Sequence, residues 1–196
     1  TAGINVSGFG GYSIEEPIPT TLEILNGIYP ANSLPIKSTI FPGKHARYSG
    51  GGFIVAQLIL EDKFGQPFNT VMDKLVLSPL NLRSSTFEQP IPKSKQHLTA
   101  TGYVLDYQPV NGGCDIHPEM AAAGLWTYPL DLAKVILEIQ KAVQGKSGFL
   151  SAKSANEMLT QQNTDATGIG LGFWFYQYAR GDSLLFTLAG GNDGFQ

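Results

Sequence analysis

Arg47-Tyr48-Ser49-Gly50-Gly51-Gly52 runs directly into the apolar stretch Phe53-Ile54-Val55-Ala56-Gln57-Leu58-Ile59-Leu60. The second part predicts a helix that enters a core: it is apolar on nearly every side, passes into Glu61-Asp62-Lys63 and meets a stop at Gly65. The first part then lies at the mouth of that helix, where glycines let backbone and a substrate approach a phenol able to pass a proton. Read alone, Tyr-Ser-Gly more often describes a tight turn carrying a partly buried tyrosine. The text around it decides between the two.

Upstream, residues 7–42 are rich in glycine and proline and read as surface loops, with a short helix over 21–26 that Gly27 terminates. Downstream, Pro67 suits a first helical position, with Phe68, Val71, Met72 and Leu75 on one buried face and Pro79 as the end. Pro90 and Pro92 mark a connector, and short extended pieces are expected around 100–105. Thr127 is the expected cap of a helix whose core face carries Leu132, Val135, Ile136, Ile139 and Val143 and which Gly145 ends. Ser151 caps a shorter helix through Met158 and Leu159. Phe173 to Tyr178 and Leu184 to Leu188, with Arg180-Gly181-Asp182 between them, predict an antiparallel hairpin. Gly168, Gly170 and Gly172 precede a strand rather than joining a strand to a helix, so they do not form a phosphate-binding loop.

Composition bounds the functions. The 196 residues, 42% hydrophobic and 15% charged, suffice for one core and carry too little charge for a disordered chain. A net charge of -3 without a basic run offers no field for nucleic acid or anionic lipid, and no apolar run reaches the roughly 18 residues of a membrane span. Cys114 stands alone and reads as a small buried hydrophobe rather than a nucleophile. His45, His97 and His117 are scattered, with no zinc-binding spacing, and read as surface or hydrogen-bonded side chains. The adjacent carboxylates Glu15-Glu16 and Glu61-Asp62 point apart, as solvated faces do. Trp126 reads as a core residue, with a cleft wall as the alternative.

Five blocks, in order, are Thr1-Ala2-Gly3-Ile4, Arg47 to Gly52, Leu77-Ser78-Pro79-Leu80-Asn81-Leu82, Pro118-Glu119-Met120-Ala121-Ala122-Ala123-Gly124-Leu125-Trp126 and Gly190-Gly191-Asn192-Asp193-Gly194-Phe195. Their order and spacing resemble the serine β-lactamase and penicillin-binding-protein superfamily, in particular the β-lactamase-related group near class C enzymes, D-alanyl-D-alanine peptidases and esterases. The resemblance implies an α+β, β-lactamase/transpeptidase-like fold: a single domain over 1–196, truncated at both ends, mainly helical and loop to about 165, then an antiparallel hairpin of an incomplete sheet. It implies no cofactor and no metal, a small-molecule or peptide substrate with an amide, lactam or ester bond, and a periplasmic or extracellular location. In it Tyr48 takes the place of the tyrosine that exchanges protons with the nucleophilic serine, and Gly50, Gly190, Gly191 and Asn192 take substrate-binding or oxyanion positions.

The departures from that pattern are informative. No Ser-x-x-Lys occurs anywhere in the chain, so the serine nucleophile and the lysine that favours its deprotonation are expected on another segment, and this chain alone is expected to be inactive. Gly50 stands where many β-lactamases carry Asn, which favours esterase or peptidase work over efficient β-lactam hydrolysis. Leu188-Ala189-Gly190 replaces a Lys-Thr-Gly or His-x-Gly triplet: the following backbone N–H survives, but leucine supplies neither charge nor proton. Two readings follow, a serine hydrolase acting through an acyl-enzyme, and a non-catalytic β-lactamase-like protein that binds peptide or peptidoglycan-like ligands. A sheet lacking strands from both chain ends also exposes apolar faces and strand edges, so the isolated chain is expected to self-associate or need a partner.

Overall fold

The computed structural model describes residues 1–43, 45–162, 168–177 and 184–195. The expected Arg180-Gly181-Asp182 turn lies outside them. Helix α1 (Thr21–Asn26) starts on a capping box, in which Thr20 and Glu23 satisfy each other's backbone N–H groups, and stops at Gly27 in the left-handed region (φ 62°). Helix α2 (Gly50–Phe64) begins earlier than its apolar run, with Ser49 as N-cap, and ends at left-handed Gly65. It is the central element, packed against α1, α3 (Phe68–Met72) and α4 (Met120–Ala123).

Two apolar clusters form around it. Ile24, Ile36 and Ile54 are buried with Ile4, Val6, Phe9 and Ala122 against them, and Phe68, Leu77, Leu82 and Phe87 are buried against Leu60, Met72, Met120 and Val135. Phe68 and Phe87 meet edge to face at 5.2 Å. Gln57 is the polar residue at the centre of α2: its Nε2 donates to Pro118 O and Thr21 Oγ1, and its Oε1 accepts the Ala121 N–H at 3.0 Å. One amide thereby holds the Pro118 to Ala121 segment on α2.

Three expectations need correction. Leu75 is exposed, because α3 passes into a π-helical turn over Asp73–Leu77 that shifts the phase of the buried face onto Leu77. Thr127 does not cap α5 (Pro129–Val143); the helix opens on Pro129 at its first turn without a side-chain cap, and Thr127 Oγ1 instead pairs with Ser85 Oγ at 2.8 Å. On α5 the buried residues are Asp131, Ile139 and Ala142, while Leu132, Ile136 and Val143 are exposed. Asp131 is buried because it is satisfied: Ser84 N, Ser85 Oγ and Lys134 Nζ all donate to it, with Lys134 holding its carboxyl below the usual range.

Helix α6 (Ala152–Met158) has the expected Ser151 cap, whose Oγ accepts the Ser154 N–H. Strands β1 (Trp174–Gln177) and β2 (Leu184–Thr187) form the expected antiparallel pair, with Trp174 opposite Thr187 and Phe175 opposite Phe186. The extended piece near 100–105 is limited to a single bridge between Tyr103 and Pro109. The fold is α+β.

Candidate active site

Tyr48 stands just ahead of α2, on a loop whose main chain is tied to residues 5–7. Ser49 Oγ donates to Asn5 O at 2.8 Å and accepts the Gly52 N–H at 3.0 Å, while the Gly50 and Gly51 N–H groups donate to Ser7 O and Val6 O. Arg47 donates to Thr39 Oγ1 and is exposed, as is His45; Lys44 lies outside the described residues. The Tyr48 side chain projects from this fixed backbone, 58% exposed. Its ring lies nearly parallel to that of Trp174, with centroids 6.5 Å apart and planes inclined by 21°.

Gly50 is buried, and a Cβ there would sit 3.1 Å from both the Phe9 ring and Ser7 O. An asparagine at 50 would therefore require Phe9 to move. Its N–H is committed to Ser7 O, so Gly50 presents no free backbone donor.

Gly190 and Gly191 follow β2 and are exposed. The loop after them is anchored to the Pro118 to Trp126 block. Asn192 exchanges backbone hydrogen bonds with Phe195, and its Nδ2 donates to Ala123 O at 3.1 Å. Phe195 meets Trp126 edge to face at 5.6 Å. Trp126, half-buried, thus supports this loop. Leu188 is 66% exposed and brings no charge. Among the described residues no hydrogen bond joins Tyr48 to Gly190, Gly191 or Asn192; the link between the two edges is the Tyr48–Trp174 ring pair, since Trp174 is registered opposite Thr187.

Beneath the loop anchor lies a buried polar group that sequence reasoning missed. Glu119 is 0% exposed and His117 3%, and neither the Glu119 oxygens nor the His117 ring nitrogens have a well-formed hydrogen bond. Burial raises the Glu119 carboxyl to about 7, opposed by its own backbone N–H and by the neighbouring Tyr12 phenol. Burial also raises Tyr12, whose Oη accepts the Asn32 N–H at 2.9 Å. Burial lowers His117, with Asp115 and Asp193 opposing, so the ring is neutral at neutral pH. The expectation of a surface or hydrogen-bonded His117 is corrected. The available signal was the lone carboxylate of Pro118-Glu119-Met120-Ala121, set among small and apolar residues. Cys114 is half-buried, and burial raises its thiol, which leaves it a poor nucleophile. Among the described residues no group of three or more His, Cys, Asp or Glu is arranged to hold a metal ion, and no helix is long and apolar enough to cross a membrane.

A helical body lies beside an antiparallel hairpin, with the tyrosine loop facing the hairpin through the Tyr48–Trp174 pair. The chain belongs to the Beta-lactamase family, whose model matches residues 30–195. Its fold is similar to that of D-amino acid amidase from Ochrobactrum anthropi SV3 (19% identity, TM-score 0.65, covering 96% of this chain and 55% of that one). It is also similar to a D-stereospecific amidohydrolase from Streptomyces sp. (21%, 0.61, 96% and 59%) and to a penicillin binding protein from Bacillus halodurans (18%, 0.62, 89% and 55%). The chain thus spans little more than half the length of these solved relatives. Comparison with curated proteins returns no match.

Proposed function

We propose that this chain is part of a serine hydrolase that cleaves neutral amides or esters through an acyl-enzyme, with the nucleophilic serine and its lysine on a segment outside residues 1–196. The observation that carries the reading is the exposed Tyr48 phenol on a rigidly tied loop that faces, through Trp174, the strand end bearing Gly190 and Gly191. In this reading Tyr48 moves the proton between serine and leaving group, and a backbone N–H after Gly190 stabilises the oxyanion. Leu188 removes the cation that would bind a substrate carboxylate, which favours uncharged substrates over β-lactams and carboxylate-ended peptides. A location outside the cytoplasm rests on family resemblance alone.

The test uses the protein that carries the nucleophile segment. A fluorophosphonate is expected to add once, to a serine outside residues 1–196, as read by intact mass and peptide mapping. Tyr48→Phe is expected to slow ester hydrolysis roughly 10²-fold or more, the scale of general acid–base catalysis. An adduct on a serine within 1–196, or unchanged hydrolysis, sinks the reading. The second reading, a binder without turnover, is favoured by Leu188 at the strand end; it predicts no adduct together with saturable binding of peptidoglycan-like peptides.

A further inference from the structure

The two edges of the site are held by different means. The loop over residues 190–195 has its own anchors in Ala123, Trp126 and Tyr103, whose N–H donates to Gly194 O. The Tyr48 loop has its backbone tied to residues 5–7. Among the described residues no hydrogen bond to the phenol is seen, and its ring lies in near-parallel contact with Trp174. Trp174 opens β1, is paired in register with Thr187, and is bridged on its other side by Ile169. Thr187 is the residue before Leu188-Ala189-Gly190. A single residue therefore meets the tyrosine with its side chain and the strand end with its main chain. It belongs to neither buried apolar cluster; the strand pairing is what places it.

We propose that Trp174 is the positioning residue for Tyr48: its indole selects the phenol rotamer that points Oη at the reacting centre, and its pairing with Thr187 sets the spacing between the tyrosine loop and the oxyanion end of β2. This rests on the reading of Tyr48 as proton shuttle. Proton transfer needs donor and acceptor within hydrogen-bond reach, so a phenol free to sample other rotamers acts in only a fraction of encounters. An aromatic pair of this kind biases rotamers by a factor of roughly three to ten, which sets the expected size of the effect.

The experiment has two arms. In the hydrolase that carries the nucleophile segment, with labelled tyrosine rings, Trp174→Leu is expected to move the Tyr48 ring resonances by removing the indole ring current. Trp174→Phe is expected to restore part of the shift, and Tyr12 is expected to stay where it was. In kinetic assays of the same hydrolase, Trp174→Leu is expected to lower kcat roughly three- to tenfold with KM unchanged, Trp174→Phe to recover most of it, and Trp174→Leu to add nothing in a Tyr48→Phe background. Unmoved Tyr48 resonances overturn the proposal, as does a Trp174→Leu rate loss that persists without the phenol. Full activity of Tyr48→Phe beside shifted resonances overturns the shuttle reading instead, and the catalytic half of the proposal with it, so the two failures are told apart.

Discussion

Glu119 carries a carboxyl group with no solvent and no well-formed hydrogen bond, so ionisation is what costs it free energy. The folded chain keeps this proton up to about pH 7, against an ordinary value of 4.5. Between those values the unfolded state binds fewer protons, so stability falls as pH rises through the window. Above about 7 the whole penalty is present, on the order of 3 kcal/mol. His117 acts in the opposite sense. Its folded value lies below 6.5, so the unfolded state binds more protons as pH drops through 6.5, and stability falls with acidification. Where the windows overlap the two slopes oppose each other and flatten the profile. Glu119→Gln removes one of them: the variant is expected to be more stable than the parent at pH 8, by roughly 1–3 kcal/mol, and to lose stability on acidification below 6.5. Urea midpoints from pH 5 to 8 measure this, and parallel profiles for the two proteins would rule out the buried proton. Tyr12 lies against Glu119, and Asp115 and Asp193 lie near His117, which is why the comparison is between variants at each pH rather than along one curve.

The start of α2 separates glycines that packing demands from one that it does not. A Cβ on Gly51 would lie 2.7 Å from Asn5 O, a backbone atom that cannot swing away, whereas on Gly52 it would meet only the Ser49 side chain, at 3.8 Å. Gly51→Ala is expected to destabilise by about 1–3 kcal/mol, because it forces the loop off residues 5–7. Gly52→Ala is expected to stabilise by up to about 1 kcal/mol through helix propensity. Thermal melts of the two variants should move in opposite directions; a shared direction would mean that residues 5–7 do not set the loop. The same element marks what the sequence could and could not tell. Caps and stops were readable, since Gly27, Gly65 and Ser151 act within one turn of their own position. So were the β-rich segments of the hairpin. The phase of α3 was not, because a π turn depends on how Leu77 and Leu82 pack rather than on local spacing. Nor was the Thr127 cap, since its hydroxyl has a partner in Ser85, 42 residues away. Tyr48 was legible as a motif, while Trp174 beside it required the fold, being 126 residues distant in sequence.

At the scale of the molecule, surface area is the telling quantity. The chain exposes 12409 Å² for 21.1 kDa, whereas a compact monomer of that mass exposes about 9,000 Å². Large apolar side chains stand open on two helices: Phe53, Ile59 and Phe64 on α2, and Leu130, Leu132, Ile136 and Leu137 on α5. Helix α2 is apolar on nearly all sides, a pattern that suits burial all round, yet only part of it is covered. Leu132 and Ile136 are four residues apart and so share one stripe of α5, the face that the spacing predicts as core. Open stripes of this size hold molecules together in water. The isolated 196-residue chain is therefore expected to associate as its concentration rises and to bind a hydrophobic dye, with sedimentation velocity reading the first and fluorescence the second. Leu132→Lys with Ile136→Lys is expected to raise the monomer fraction and weaken dye binding without lowering the melting temperature, because neither side chain is buried. A loss of melting temperature would show that the stripe is already covered within one chain. A parent chain that stays monomeric at every concentration, with a sharp melt at high temperature, would mean that the two apolar clusters around α2 suffice alone and that the open faces of α2 and α5 need no partner.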